Sequence, residues 1–342
     1  MKLPEKQHLI GLLLGDNEHH LDHITPLVSL LNIPMIITEE RIYKLAQKHY
    51  PDTQINYVPT HEIRTFLPNS TQALISCLPA PQIKLELLGL NIPTIWLPHG
   101  NSDKGRDSYF MEGLKNEQYA FLYGNQILNF LKEKGAYENL EGYAFIGNYR
   151  NEYFKRDQTG LKWGERTILY APSWQPHDKT HILIEELSQV SKLSNHNVLI
   201  KLHPNTIKLS DIRLNLVLNE IANYDHITLI DSIPTIYPLL SQVDLLIGDT
   251  SSIGYDFLTF DKPLIFIENN QKHHMENGPL TLQQVGTTIN ISELDNIDQI
   301  IKKDDKSEQR RWLYNETFSP LPAWMRSERL ISWKRPNISL HL

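Results

Sequence analysis

The sequence is poor in cysteine, in long apolar runs and in excess positive charge. Cys77 is the single cysteine among 342 residues, which excludes an internal disulfide framework and any multi-cysteine metal site. It lies in the apolar run 73–78, where we expect a buried structural thiol rather than a nucleophile. The net charge of −7 argues against extensive nucleic-acid binding, although a local basic site is compatible with it.

The apolar runs are also too short to cross a membrane. The N-terminal run 9–14 follows Lys2, Glu5 and Lys6, and it has neither the length nor the flanks of a signal peptide. We therefore expect a cytoplasmic protein. The stretch 324–335 mixes tryptophan with arginine and lysine, as interfacial segments do. Peripheral contact with the inner face of the cell membrane is thus an alternative to packing against the protein.

Short apolar runs without polar alternation recur along the chain and are typical of strands buried on both faces. They are 9–14, 34–37, 73–78, 94–97, 121–123, 143–146, 167–171, 197–202, 227–230, 243–247 and 263–267. Amphipathic stretches such as 182–190 separate them and predict helices. This alternation predicts an α/β protein with parallel sheets and right-handed crossovers, in two doubly wound domains.

Length and a polar stretch at 148–163 place the domain boundary. We expect one Rossmann-like domain at 1–150 and a second at 151–317, with segment 318–342 packing back on the first. Ligands of such sheets bind beyond the carboxyl ends of the strands. The residues that follow each apolar run are therefore the candidates for function, at a cleft between the two domains.

The turn that begins at Asp249 is the strongest of these strand ends. Three hydroxyl residues, Thr250, Ser251 and Ser252, follow it at the start of a predicted helix. Free amides and the helix dipole make such a start an anion site, and the hydroxyls add donors. The turn therefore predicts a phosphate or pyrophosphate site, with an ordinary capped helix as the alternative.

Three weaker strand ends lie in the same half of the chain. Ser173 and Trp174 offer a hydrogen bond and a stacking face to a nucleotide, or form a turn with a core tryptophan. Lys201 and His203 offer donors to phosphate oxygens, although a structural role is common for a single histidine. Asp231 is suited to hold a ribose or a base edge, or to cap a helix.

In the first half, His99 follows an apolar run and precedes Gly100, in a loop where the backbone can approach a ligand closely. An imidazole there can take a proton from an attacking hydroxyl, and we predict that His99 is the catalytic base. Asp103 is predicted to orient it, and Lys104 to neutralise phosphate charge.

The segment after the first apolar run has three histidines and three carboxylates. Asp16 or Asn17 is expected to cap the helix that follows. His19 and His23 share a helical face, whereas His20 does not, and the HExxH zinc motif is absent. Acceptor binding or capping is therefore favoured over a metal site, and no metal or other cofactor is expected.

Taken in order, these motifs resemble those of the CDP-glycerol glycerophosphotransferase family, which makes teichoic acid and related capsule backbones. The motifs are His99-Gly100, 170–174, 201–204 and 249–252, within about residues 90 to 270. The resemblance implies a GT-B arrangement, two Rossmann-like domains around a cleft. It also implies that an acceptor hydroxyl attacks the β-phosphorus of a CDP-linked polyol and displaces CMP.

These considerations lead to a full assignment of the site. The resemblance makes the first domain the acceptor side and the second the donor side, with a nucleotide-activated donor and a glycan or lipid-linked acceptor as partners. The catalytic residues are predicted to be His99, His203 and Asp103. The donor-binding residues are Ser173, Trp174, Lys201, Asp231, Asp249, Thr250, Ser251 and Ser252. The acceptor-binding residues are Asp16, Asn17, His20 and Lys104.

Departures from the family pattern leave the donor and acceptor open. Residues 101–103 replace the small residue and proline that often precede the lysine, and Gln175 stands where a basic residue is common. One alternative is a GT-B glycosyltransferase that uses a UDP- or CMP-sugar, and another is a UDP-sugar 2-epimerase. A non-enzymatic subunit of an envelope-assembly complex is disfavoured, since His99 and His203 are both retained.

Overall fold

The structure is a computed structural model. It describes residues 9–87, 89–102, 114–156, 164, 166–174, 179–208, 211–230, 235–249, 251–268 and 281–323. The chain divides into two compact units. The first holds the described residues up to Asn101, those from 114 to 156, and those from Asn315 onward. The second holds Ser102 and the described residues from 164 to Tyr314.

The first unit is built on a seven-stranded parallel sheet in the order β3-β2-β1-β4-β5-β6-β7. Its strands are β1 Leu9–Leu13, β2 Met35–Ile37, β3 Ile55–Tyr57, β4 Ala73–Ser76, β5 Thr94–Trp96, β6 Tyr119–Leu122 and β7 Gly142–Phe145. Its helices are Leu21–Leu31, Glu40–His49, Ile63–Phe66, Ala80–Glu86, Asn125–Glu133 and Tyr149–Arg156. Gly11 lets helix Leu21–Leu31 lie directly on β1, because a Cβ there would be 2.5 Å from a methyl carbon of Val28.

The second unit is built on a six-stranded parallel sheet in the order β10-β9-β8-β11-β12-β13. Its strands are β8 Thr167–Ala171, β9 Asn197–Ile200, β10 Ile227–Leu229, β11 Leu245–Gly248, β12 Leu264–Ile267 and β13 Thr287–Ile289. Its helices are Thr180–Val190, Pro204–Lys208, Ile212–Ile221, Tyr237–Leu240, Ser252–Phe257 and Ile297–Lys302. Helix Ser307–Thr317 extends from this unit into the first.

Both sheets are doubly wound, as the alternation of runs predicts. In the second unit the chain moves outward from β8 to β10 and then returns to place β11 beside β8. The first unit does the same, with β4 returning beside β1. Each sheet therefore has a switch point where neighbouring strands send their chains in opposite directions, the usual place for a ligand.

Cys77 is fully buried, as expected, and burial raises the pKa of its thiol well above the usual value. A thiol held neutral in this way is a structural residue rather than a nucleophile. Among the described residues, no helix has the length and apolar character needed to cross a membrane.

The chain after Asn315 belongs to the first unit. The backbone N–H of Ser319 donates to the carbonyl oxygen of Tyr123 over 2.9 Å, and the Phe318 ring stands edge-on to the Tyr123 ring. Gly147 has a φ of 55°, and a Cβ there would lie 2.4 Å from the Ser319 carbonyl oxygen. Residues 324–342 lie outside the described residues, so membrane contact by this segment stays a prediction.

Candidate active site

His99 lies in the loop after β5, and Gly100 follows it with a φ of 121°, a value that favours glycine. The imidazole is partly buried. Its pKa is lowered to about 4, because burial disfavours the charged ring and His19 adds repulsion. His99 is therefore a neutral imidazole near pH 7, the form in which a histidine accepts a proton.

A buried hydrogen-bonded chain holds the backbone beside His99. The Tyr123 hydroxyl donates to the carbonyl oxygen of Pro98 over 2.9 Å, and His23 Nδ1 lies 2.8 Å from the same hydroxyl oxygen. A tyrosine hydroxyl has one hydrogen, so His23 Nδ1 is the donor in the second bond. Burial lowers the pKa of His23 well below its usual value and keeps this ring neutral. The chain positions the peptide that precedes His99.

Three of the predicted acceptor residues, Asp16, Asn17 and His20, lie in the turn after β1, two strands from β5 in the sheet. The His20 ring is buried, with its centroid 5.0 Å from that of His99. Arg41 Nε donates to the Asp16 carboxylate over 3.0 Å. The amide of Asn17 donates to the carbonyl oxygen of Leu14 over 2.9 Å, and no side-chain cap bond forms at Asn17. The Asn17 side chain therefore does not act as the cap that was one alternative for this turn. The tertiary structure adds the proximity of the turn to His99.

The second unit joins two strand ends at its switch point. The Ser173 N–H donates to Asp249 Oδ2 over 3.0 Å, and the Ser173 hydroxyl donates to the same oxygen. Ser173 follows β8 and Asp249 follows β11, the two strands at which the order reverses. Two residues predicted separately as donor-binding thus form one linked structure at the site where doubly wound sheets bind ligands.

Helix Ser252–Phe257 begins where the hydroxyl turn predicts it. Ser251 is its N-cap, but the Ser251 side chain makes no cap hydrogen bond, contrary to expectation. The turn is held instead by backbone bonds, from Ser251 N–H to the Asp249 carbonyl oxygen over 2.8 Å and from Gly254 N–H to the Ser251 carbonyl oxygen over 3.1 Å. Capping therefore does not engage the Ser251 hydroxyl.

His203 has a defined tautomer. The backbone N–H of Asn205 donates to His203 Nδ1 over 3.1 Å, so the neutral ring carries its proton on Nε2. Lys201 is partly buried beside the end of β9. Trp174 is 44% exposed and is thus not the core tryptophan of the simpler alternative. A donor N–H and an exposed indole suit phosphate and base recognition.

Four of the predicted site residues lie outside the described residues: Asp103, Lys104, Asp231 and Thr250. Their predicted roles stay predictions. The described members lie in both units, with Asp16, Asn17, His20 and His99 in the first. Those in the second are Ser173, Trp174, Lys201, His203, Asp249, Ser251 and Ser252.

Sequence reasoning missed Glu186 altogether. It lies in helix Thr180–Val190, accepts a hydrogen bond from the Tyr170 hydroxyl, and lines a small pocket together with Asp249. Burial, then the charges of Asp249 and Glu185, raise its pKa to about 7. Its sequence context is an ordinary helical Glu-Glu pair, so only the fold reveals that one of the two carboxyls points inward.

Glu186→Gln is expected to reduce the pH dependence of stability. In the folded chain the carboxyl keeps its proton up to pH about 7, against 4.5 as its usual value. The folded state therefore loses stability as the pH rises from about 4.5 through 7, because the unfolded chain releases this proton first. Thermal unfolding between pH 5 and pH 8, an approximate window set by this linkage, should show a smaller fall in Tm for the variant.

Glu185→Gln is the matched control, since Glu185 is the exposed neighbour on the same helix and the substitution removes the same type of side chain. If both variants reduced the pH dependence of Tm equally, burial of the Glu186 carboxyl would not be the cause.

Solved structures with similar folds define the class of protein. The wall teichoic acid polymerase TagF matches with a TM-score of 0.62 and 17% identity, over 92% of this chain and 85% of that one. The S. aureus MnaA–UDP structure matches with a TM-score of 0.60 and 12% identity, over 93% of each chain. UDP-GlcNAc 2-epimerase from Neisseria meningitidis, bound to UDP-GlcNAc, matches with a TM-score of 0.58 and 11% identity, over 89% of this chain and 94% of that one. The chain has the GT-B fold.

A family model identifies the kind of enzyme within this class. The model described as CDP-Glycerol:Poly(glycerophosphate) glycerophosphotransferase matches residues 148–331. This chain belongs to that family and is a CDP-glycerol glycerophosphotransferase-like enzyme, which confirms the resemblance seen in the motifs. No curated protein sequence matches the chain.

Proposed function

We propose that this enzyme moves a polyol-phosphate group, of the glycerol-phosphate type, from a CDP-activated donor to a hydroxyl of a cell-envelope or capsule glycan. The observation that carries the proposal is the family match at 148–331, which spans Ser173, His203 and the turn 249–252. The link between Ser173 and Asp249 at the switch point supports it, because two donor-binding loops are held together where such sheets bind nucleotides.

In the proposed reaction, the acceptor hydroxyl oxygen attacks the β-phosphorus of the CDP-polyol. A new P–O bond forms to the acceptor as the bond from this phosphorus to the bridging oxygen breaks. CMP leaves with the electron pair of that bond, and His99 takes the proton from the attacking hydroxyl. Transfers of this kind depend mainly on positioning and on neutralising charge, so no nucleophilic side chain is required.

The donor is assigned to the second unit. His203 Nε2–H donates to a pyrophosphate oxygen, a role that its tautomer supports. Ser251 and Ser252 hold further phosphate oxygens, and the exposed indole of Trp174 stacks on the cytosine. The assignment leaves His99, in the first unit, to act on the acceptor.

CDP-glycerol is expected to stabilise the chain against thermal unfolding, because a ligand that binds only the folded state stabilises it by about 2.7 kcal/mol at 100 times its Kd. We expect the rise in Tm to shrink in Trp174→Ala. Trp312→Ala is the matched control, since Trp312 is 49% exposed in the same unit and Trp174 is 44% exposed. CMP release with a glycan acceptor, measured by a coupled assay, then tests the reaction itself.

The same measurement decides between donors when CDP-ribitol, CMP-sugars, UDP-sugars and free nucleotides are included. Stabilisation by a UDP- or CMP-sugar, with no response to CDP-polyols, would contradict the proposal. It would favour a glycosyltransferase or an epimerase on the same fold.

A further inference from the structure

Three imidazoles meet in the first unit around His99. His19 and His20 come from the turn after β1, and His99 comes from the loop after β5. Ring centroids lie 4.3 Å apart for His19 and His20, 5.6 Å for His19 and His99, and 5.0 Å for His20 and His99. One ring nitrogen from each of the three residues lies within 4.8 Å of the other two.

The group consists of imidazole nitrogens with no carboxylate among them. The carboxylates of the same turn bind elsewhere, since Arg41 forms ion pairs with both Asp16 and Glu18. Neutral imidazoles are the protonation state in which histidine ligates a metal ion.

Helix capping does not explain the grouping. His20 is the N-cap of helix Leu21–Leu31, and its side chain makes no cap hydrogen bond. His19 is exposed in the preceding 3-10 turn, Glu18–His20, and the Asn17 side chain does not cap that turn. The sequence pairs His19 with His23 by helical spacing, whereas the fold places His99 against His19 and His20.

The three ligand atoms are imidazole nitrogens, and this determines which metal ions they bind. Imidazole nitrogen suits Zn²⁺ and its first-row neighbours, whereas Mg²⁺, Ca²⁺ and Mn²⁺ prefer oxygen ligands. A tetrahedral Zn²⁺ with bonds of about 2.0–2.1 Å separates its ligand nitrogens by roughly 3.4 Å. The three nitrogens lie within 4.8 Å of one another, so they must move closer when a metal binds, and the exposed His19 is the member with the most freedom to do so.

Part of the cluster is held in place before any metal binds. The Pro98 carbonyl oxygen, next to His99, accepts a hydrogen bond from the buried Tyr123 hydroxyl. His20 is anchored at the start of a helix whose first residues are buried. Ligands fixed by surrounding structure lose less freedom on binding, which favours affinity.

We propose that His19, His20 and His99 form a binding site for a Zn²⁺-like first-row transition-metal ion, with three protein ligands and an open fourth position. A metal ion held by His99 competes with proton transfer to the same ring. The site therefore makes the proposed transfer reaction sensitive to inhibition by zinc, a consequence that rests on the proposed role of His99 as base.

Metal binding is measured on the untagged full chain after removal of metals by a chelator. Co²⁺ serves as the probe, because four-coordinate Co²⁺ has a characteristic visible absorption, and Zn²⁺ is then added as competitor. Wild-type protein is expected to bind one equivalent of Co²⁺ that Zn²⁺ displaces and that Mg²⁺ does not. His19→Gln should weaken binding on the order of 100-fold or more, since changes outside the ligands already cost 10–100-fold.

His61→Gln is the matched control, because the His61 side chain is 80% exposed in the same unit and lies outside the cluster. Its Co²⁺ affinity should equal that of the wild type. The proposal is overturned if the wild type shows no such absorption, or if His19→Gln binds Co²⁺ as tightly as the wild type does. His19 is exposed, so its replacement tests the site without removing a buried side chain.

A separate assay addresses the consequence for activity. Zn²⁺ should inhibit CMP release by the wild type reversibly, and His19→Gln should need correspondingly more Zn²⁺ relative to its own metal-free rate. Binding of Co²⁺ and Zn²⁺ without inhibition would leave the metal site in place and contradict the proposed role of His99. The two proposals can therefore fail independently.

Discussion

Replacing His99 with alanine is expected to lower the rate of transfer by about 10²–10⁴-fold, the usual contribution of a positioned general base. Affinity for the CDP-activated donor should be nearly unchanged, because the donor is assigned to the second unit. The measurement is kcat from CMP release, together with the donor Kd from titration of the same variant. His99→Ala that turned over at the wild-type rate would contradict the base assignment.

His203→Ala should separate donor binding, the role assigned to His203, from proton transfer, the role assigned to His99. Its Nε2–H is assigned to the pyrophosphate, so its loss is expected to weaken donor binding as well as the rate. His61→Ala, which removes an exposed imidazole from the first unit, should change neither quantity. Donor affinity unchanged in His203→Ala would show that the pyrophosphate is held elsewhere.

Arg150→Met is expected to destabilise the first unit by about 3–5 kcal/mol, because it leaves the Asp22 carboxylate buried without its cation. Arg150 Nη2 forms an ion pair with Asp22 Oδ2, and their side chains are 3% and 7% exposed. The pair joins helix Leu21–Leu31 to helix Tyr149–Arg156. Since two units need not unfold together, hydrogen exchange of amides in the first unit is the appropriate measurement.

Two further variants show whether the unpaired Asp22 charge causes the loss of stability in Arg150→Met. Arg41→Met removes a 54% exposed arginine that pairs with Asp16 in the same unit, and its expected cost is below about 1 kcal/mol. The double variant Asp22→Leu/Arg150→Met removes both buried charges and should recover most of the lost stability. Equal losses in Arg150→Met and in the double variant would show that packing, rather than an unpaired charge, sets the cost.

The sequence predicted the central strands well because burial on both faces leaves a continuous apolar run. The run 167–171 is β8, and the runs 9–14 and 94–97 contain β1 and β5. The two strands that it missed, β3 and β13, are three-residue strands at the edges of their sheets. An edge strand has one neighbour and a partly exposed surface, so its composition resembles that of a loop.

The turn at 249–252 also shows which features of the site the sequence predicted and which the tertiary structure decided. The start of helix Ser252–Phe257 follows from a buried strand that ends in small polar residues. Ser251 makes no side-chain cap bond there, and backbone bonds hold the chain between Asp249 and Gly254. The hydroxyl residues therefore located the turn correctly, although backbone bonds rather than a Ser251 cap bond hold it.

The sequence by itself determined the α/β class, the doubly wound alternation and the strand ends that carry polar side chains, because these depend on short-range patterns of burial and turn formation. Only the tertiary structure decided which of those ends meet. It joins Ser173 to Asp249 over 76 residues, and it brings His99 against His19 and His20 from two strands away in the sheet. It also selects Glu186 over Glu185 as the buried carboxyl. Such contacts follow from strand order and helix orientation, which spacing along the chain does not encode.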